Sequence, residues 1–256
     1  MKTGLLALAT LSAVLATGAR ADDLTARQIV ERVHAAAGGA AWLAAGTNVM
    51  RGDATLCRDG EPARCAFADR YVMYRVYPTK LAHGAHAGSG KFRLDAYSGD
   101  RLLFQVSFDG ERSYDQNGPL PPERATSDEM SAFGFSAIRF ALQPGFEVER
   151  LTDDEVEGRP SYFVRIKDPS GTRTLFGIDK EHFYVLSAQW QTTKGWHLRQ
   201  YSEFYQLTDS RFLQPGRVRH YYDGVQTVDI HWRSAEIGEP IPDSTFVLGP
   251  GVKSGN

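Results

Sequence analysis

From Asn48 to Ile237 the chain is dominated by short segments in which apolar and polar residues alternate. Alternation with a period of two is the pattern of a β-strand that buries one face. The breaks between segments are Asp-Gly, Gly-Asp, Gly-Ser-Gly and proline-containing turns. This spacing predicts about eleven strands, nearly all antiparallel because their connections are short. Strand–helix–strand alternation is absent from the pattern, which disfavours a parallel α/β fold.

Two segments depart from the β pattern and have helical periodicity. Residues 23–37 form a predicted helix in which Thr25 and Gln28 make a capping box, Gly38-Gly39 ends the helix, and a short helical turn follows at "AAWLAA". A second helix is predicted from Thr126 or Ser127 to Leu142, between two β halves, and Gly134 weakens it by roughly 1 kcal/mol relative to alanine. The apolar stripe of the first helix is Leu24, Ile29, Val30 and Val33.

The N-terminus has the organisation of a secretory signal peptide. Lys2 gives a positive start, residues 5–16 are apolar but too short to span a bilayer, and Ala19-Arg20-Ala21 is a small-x-small cleavage site. The junction lacks the cysteine that lipid attachment requires. We therefore predict that residues 1–21 are removed near Ala21 and that residues 22–256 form a single domain in the periplasm. An uncleaved membrane anchor is the alternative.

The chain has two cysteines, Cys57 and Cys65, in the turn sequence "CRDGEPARC". In an exported chain such a close pair predicts a disulfide across the end of a hairpin. A redox or metal-binding pair is the weaker alternative, because the spacing is not C-x-x-C and histidines are absent from the neighbouring sequence.

Motifs for common catalytic sites are absent, and the formal net charge of −2 gives no indication of nucleic-acid binding. The segment "GFSAI" lacks the second glycine of a nucleophile elbow. His83 and His86 form the closest histidine pair, and a zinc site would need a third ligand. His197, His220 and His231 lie in alternating strands, and we expect them mostly opposite the apolar face. We therefore predict no catalytic residue, no metal and no cofactor.

The most distinctive feature of the β region is its apolar and aromatic surface. In "LLFQVSFDG" the residues Leu102, Phe104, Val106 and Phe108 share one strand face. A β core packed on the helices explains part of this surface. Two helices cannot cover so broad a face, however, and a curled sheet would enclose a hydrophobic cavity.

The order of several motifs resembles the LolA/LolB superfamily of periplasmic lipoprotein carriers, which also contains RseB. "IVERVHAAAGGAAWLAAGTNVMRGDAT" is similar to the family's first helix and strand, and "VSFDGERSYDQNG" to its D-G-x-x-x-aromatic hairpin. "VMYRVYPTKL" and the closing "IPDSTFVL" also resemble family segments, and the likeness extends over nearly all of residues 22–256.

The resemblance implies a mostly β (α+β) fold: an unclosed antiparallel β half-barrel with N-terminal and central lid helices over a hydrophobic concave face. It implies that the concave face binds acyl chains, and that Arg51 on the first strand holds the lid closed. The cysteine hairpin and the His83/His86 loop have no counterpart in the family pattern. The predicted cavity lining is Leu102, Phe104, Val106, Phe108, Tyr184, Leu186, Trp190, Val228, Ile230 and Trp232, and the predicted lid residues are Met130, Phe133, Ile138 and Arg51.

The leading hypothesis is a monomeric, non-enzymatic carrier whose partners are lipid or lipoprotein acyl chains and possibly a membrane or periplasmic protein. One alternative is a periplasmic sensor or regulatory module on the same fold. A less favoured alternative is an exported hydrolase.

Overall fold

The structure is a computed structural model that describes residues 24–78, 90–121, 135–192, 195–207 and 211–250. None of the helices in these ranges has the length and apolar composition needed to cross a bilayer.

The described chain forms one 14-stranded sheet with the order β6-β5-β4-β3-β2-β1-β14-β13-β12-β11-β10-β9-β7, in which β8 pairs only with β9. Paired strands run antiparallel, and β6 and β7 are the two free edges, so the sheet is an unclosed half-barrel. The strands are β1 (Thr47–Cys57), β2 (Cys65–Val76), β3 (Lys91–Ser98), β4 (Arg101–Phe108), β5 (Ser113–Asp115), β6 (Gly118–Pro119), β7 (Glu147–Arg150), β8 (Asp154–Val156), β9 (Arg159–Lys167), β10 (Arg173–Asp179), β11 (Val185–Thr192), β12 (Gly195–Gln206), β13 (Leu213–Tyr222) and β14 (Val225–Ile237).

The predicted antiparallel β class is confirmed, but the expected number of strands was too low. The additional strands are short, and β6 has only two residues. So few residues cannot show a clear alternation of apolar and polar side chains, and their pairing depends on longer neighbours.

Helix α1 (Ala26–Ala37) has the predicted capping box and the predicted end, but it begins three residues later than the predicted start at residue 23. The Thr25 hydroxyl accepts a hydrogen bond from the Gln28 backbone N–H, and the Gln28 side chain accepts one from the Thr25 backbone N–H. Gly38 follows at φ 127°, a conformation that favours glycine, and its Cα faces the Arg211 carbonyl so closely that a Cβ would lie 2.6 Å from that oxygen. The apolar stripe of α1 is buried against the sheet.

Two further helices are short: α2 (Ala40–Leu43) and α3 (Ser136–Phe140). Helix α3 belongs to the connection that carries the chain from edge strand β6 to the opposite edge strand β7. The predicted central helix is therefore present over its C-terminal part, and its earlier residues lie outside the described ranges.

The two faces of the sheet are packed differently. Helices α1 and α3 contribute to the main hydrophobic core on the concave face. On the convex face, a 3₁₀ turn (Asp243–Phe246) packs over β3 and β4, where the Phe246 carbonyl accepts a hydrogen bond from the Ser107 hydroxyl at 2.8 Å. The Phe246 side chain is fully buried there. The C-terminal segment thus closes part of the outer surface.

The centre of the sheet contains a bulge at Gly52, where the register shifts in both the β1–β14 and the β1–β2 pairing. A Cβ at this position would lie 1.9 Å from the carbonyl oxygen of His231. Glycine is therefore required for the close approach of β1 and β14.

Candidate functional site

A cavity of about 100 Å³ lies on the concave face, in the part of the half-barrel formed by β1, β2, β3, β12, β13 and β14. Its lining is largely apolar and aromatic. Phe135, the residue before α3, reaches into this wall, with its ring centroid 4.8 Å from that of Tyr201. The apolar and aromatic lining residues are Met50, Tyr71, Met73, Tyr77, Leu94, Phe135, Tyr201, Phe212, Pro215, Val218, Ile230 and Trp232.

Only some of the residues predicted from sequence to line a cavity do so in the structure. Ile230 and Trp232 of β14 line it directly. Phe104 reaches it indirectly, since its ring packs at 6.5 Å, centroid to centroid, against the cavity residue Tyr71. Val106, Trp190 and Val228 belong to the surrounding core.

Strand β4, whose apolar face led to the prediction of a cavity, contains a bulge where it pairs with β3. Ala96 pairs with Phe104, but the next residue, Tyr97, pairs with Leu102, so one residue of β4 is skipped. Directly opposed residues share a face of the sheet, and Tyr97 lines a pocket with Val72 and Asp95 on the convex face. Leu102 is therefore displaced from the predicted face, and Leu103 packs against the concave core instead.

The remaining predicted lining residues lie outside the cavity wall. Phe108 is half-buried and pairs with Phe92 near one end of the sheet. Leu186 is buried in β11. Tyr184 precedes β11, and its ring packs in tilted contacts with His182 and Phe204 at centroid distances of 5.4 Å and 5.0 Å respectively.

Of the predicted lid residues, Ile138 is fully buried in the hydrophobic core. Its carbonyl oxygen accepts a 2.8 Å hydrogen bond from Nε2 of His34 in α1, which ties α3 to the N-terminal helix. Met130 and Phe133 lie outside the described residues. Arg51 pairs with Val72 on the convex face, and its Nη1 lies 2.8 Å from Glu236 Oε1. Arg51 thus lies on the face opposite α3, which is the described part of the predicted lid.

The cavity also contains polar groups that the sequence interpretation missed. Arg75 of β2 and Arg199 of β12 are buried and line it together with Gln214 and His220. Burial lowers the pKa of Arg75 to about 10; Tyr77 opposes this shift, and the guanidiniums of Arg139 and Arg199 add to it. Arg75 is still charged at neutral pH. Burial, followed by the charges of Arg199 and His197, holds the pKa of His220 well below its usual range.

The expectation that the strand histidines lie mostly opposite the apolar face was wrong for two of them. His197 is buried with its ring stacked on Trp190 at 4.5 Å, and His220 lines the cavity. His220 is in phase with Val218 of β13, which could have indicated its position, whereas His197 is flanked by the apolar residues Trp196 and Leu198 of the opposite phase. His231, by contrast, is the strand-register partner of Asp53 in β1 and of Arg217 in β13. Its Nε2 atom lies 3.6 Å from Asp229 Oδ1.

Over the part of the chain that the structure describes, no group of three or more His, Cys, Asp or Glu side chains is placed to hold a metal ion. The His83/His86 loop lies outside that part. Cys57 and Cys65 form a disulfide between the paired ends of β1 and β2, as predicted.

Comparison with known proteins identifies the fold. No protein-family model matches the chain, and neither does any curated protein sequence. Among solved structures, a LolA superfamily protein from Nitrosomonas europaea aligns with a TM-score of 0.53 at 11% identity, covering 87% of this chain and 97% of that one. A domain from Vibrio parahaemolyticus, described as an outer membrane lipoprotein-sorting protein, aligns with a TM-score of 0.51 at 11% identity, covering 89% and 97%.

A DUF1329 family protein from Desulfovibrio piger aligns with a TM-score of 0.50 at 9% identity, covering 86% of this chain and 95% of that one. The chain therefore has a LolA-like fold over most of its length, as its sequence motifs implied. Identities this low establish the fold alone.

Proposed function

We propose that this protein is an exported, non-enzymatic carrier that binds the acyl chains of lipids or lipoproteins in its concave cavity. The observation that carries the proposal is the largely apolar cavity itself, whose wall on the concave face includes Phe135. The LolA-like fold and the name of the Vibrio domain agree with such a role. Residues 1–21 act as the signal peptide, residues 22–256 form the working domain, and its place is the periplasm.

The energetics favour a ligand that enters by displacing part of the lid. A cavity of about 100 Å³ holds only a short piece of an acyl chain. Each additional buried CH₂ contributes about 0.8 kcal/mol, so a longer chain offsets the loss of contacts that Phe135 makes with Tyr201 and Trp42. In this proposal the closed structure is the empty carrier.

The test is native mass spectrometry and solvent extraction of the protein purified after expression with its signal peptide intact. We expect a co-purifying lipid and displacement of a fluorescent acyl probe. Val218→Phe places a ring in the cavity wall and lowers lipid occupancy, whereas Phe135→Ala enlarges the cavity and raises it. Val225→Phe is the matched control, since Val225 is exposed on β14, and thermal unfolding checks that each variant is folded.

Each other outcome points to a different function. A wild-type protein that purifies empty and binds no acyl probe overturns the carrier proposal. A periplasmic protein captured by that empty protein would then support the sensor or regulatory alternative. Ester turnover abolished by one substitution would support the hydrolase.

A further inference from the structure

Three arginines are buried near one another on the concave face: Arg75 and Arg199 line the cavity, and Arg139 lies beside the cavity residue Tyr77. Arg75 lies on β2, Arg139 on α3 and Arg199 on β12, and their exposed fractions are 4%, 2% and 5%. Charged side chains are almost never buried to this degree unless something compensates their charge. No carboxylate is found among the described residues that line the cavity.

Two of these guanidiniums, those of Arg75 and Arg139, meet around Tyr77. The guanidinium carbon of Arg75 lies 4.5 Å from the Tyr77 ring centroid, and that of Arg139 lies 4.1 Å from the same centroid. Burial alone would raise the pKa of Tyr77, but the charges of Arg75 and Arg139 outweigh it and lower this pKa. The guanidiniums of Arg75 and Arg139 beside this ring make this end of the cavity electropositive.

Arg139 still has hydrogen-bonding capacity. Its guanidinium hydrogen-bonds to the Tyr77 side chain and also faces the ring of Trp42 at 4.6 Å. Its Nε and Nη1 atoms are buried and have no hydrogen-bond acceptor among the residues that the structure describes. Arg75 and Arg199 have partners within the protein, so the open donors are those of Arg139. A buried, unsatisfied donor on a charged group is costly, and a ligand that supplies an acceptor removes that cost.

We propose that the cavity binds an anionic amphiphile, whose carboxylate or phosphate group is held at Arg139, Arg75 and Arg199 while its apolar chain lies along Met50, Met73 and Ile230. This inference rests on the proposed acyl-binding function and names the end of the ligand that the site selects. The guanidinium fork matches the planar oxygens of carboxylate and phosphate, and its weak hydration suits a buried site.

The test compares ligands of equal chain length by displacement of a fluorescent acyl probe from the full protein at neutral pH. The probes are dodecanoate, dodecyl phosphate, dodecanol and inorganic phosphate. We expect both anionic chains to bind about tenfold or more tighter than dodecanol, because a charge-assisted hydrogen bond is replaced by a neutral one. The ratio between dodecanoate and dodecyl phosphate identifies which headgroup the site prefers.

Two variants locate the effect. Arg139→Gln removes the open donors and the charge, and should abolish most of the preference for dodecanoate while affinity for dodecanol stays nearly unchanged. Arg233→Gln is the matched control, since Arg233 is exposed and pairs with Asp53. If Arg139→Gln does not fold, the wild-type comparison of dodecanoate with dodecanol still decides the question.

The possible results distinguish failure of the anionic-ligand proposal from failure of the acyl-carrier proposal. Equal affinity for dodecanoate and dodecanol overturns the proposed preference for an anionic group, while the acyl-carrier proposal stands. If inorganic phosphate competes as well as dodecyl phosphate, the apolar chain contributes nothing, and the proposal that the ligand is an amphiphile is overturned. Absence of binding by every chain overturns both proposals.

Discussion

The Nε2 atom of His34 lies 2.8 Å from the carbonyl oxygen of Ile138, and this hydrogen bond joins the N-terminal helix α1 to α3. A carbonyl oxygen can only accept, so Nε2 carries the hydrogen. The His34 ring also packs on Trp42 with a centroid distance of 5.6 Å. Burial lowers the pKa of His34 from its ordinary value of 6.5, even though the bond to Ile138 acts in the opposite direction.

His34 therefore makes stability depend on pH. Because its pKa is lower in the folded than in the unfolded protein, the unfolded state binds the proton first, and stability is lost as pH falls below about 6.5 towards the folded pKa. We expect His34→Gln to reduce this loss. The measurement is the free energy of unfolding in urea at neutral and at mildly acidic pH, for both proteins. Some dependence of the unfolding free energy on pH should remain in the variant, because the pKa of His220 is also lowered. If His34→Gln leaves the pH dependence unchanged, the assignment to His34 is refuted.

The C-terminal turn is expected to be essential for stability. Phe246 is fully buried on the convex face, whereas its neighbour Val247 is 47% exposed. Truncating a buried phenylalanine typically costs about 3–5 kcal/mol, because apolar contacts are lost and a cavity remains. We expect Phe246→Ala to lower the free energy of unfolding by this amount and Val247→Ala to change it little. Equal effects of the two variants would show that the turn is only loosely attached.

The buried ion pair beneath that turn gives a different kind of prediction. Arg93 Nε lies 2.8 Å from Asp95 Oδ1, and Arg93 Nη1 donates to the Thr245 carbonyl at 3.1 Å. Asp95→Asn leaves the Arg93 charge uncompensated and should cost roughly 3–5 kcal/mol. The double variant Arg93→Met, Asp95→Leu removes both charges and should recover much of this loss. Urea denaturation of the two variants tests the claim, which fails if the double variant is the less stable.

The disulfide is expected to stabilise the first hairpin. Cys57 and Cys65 close a short loop, for which the chain-entropy relation gives about 2.5 kcal/mol. Replacing both cysteines with serine should lower the unfolding midpoint accordingly. Reduction of the wild-type protein should lower it to the same extent, and a midpoint insensitive to both treatments would contradict the prediction.

Local chemistry predicted the parts of the fold that depend on neighbouring residues. Thr25 and Gln28 cap α1 as their spacing requires, and the cysteines pair where the hairpin turn places them. The family resemblance supplied the open half-barrel, which alternation alone leaves undetermined. The pairing of β1 with β14 joins distant parts of the chain, and turn chemistry contains no information about it.

The site was less predictable than the fold. A one-residue bulge moved Leu102 off the concave face, and a bulge depends on a neighbouring strand rather than on its own sequence. Arg75 and Arg199 alternate in phase with apolar residues, but a charged side chain in such a position is ordinarily assigned to the solvent face. The prediction therefore assigned only apolar and aromatic residues to the cavity lining and missed the arginines at its charged end.

The pairing of β1 with β14 also constrains the order of assembly. Strands β1 to β6 can pair as local hairpins as soon as they are made, but the other edge of β1 acquires its partner only when the last strand has been synthesised. An unpaired edge of this length is prone to pair with other chains, and such non-local pairing is slow. Nascent protein should consequently be most vulnerable to aggregation just before its final strand is available, and a chaperone that shields β1 would have its largest effect at that stage.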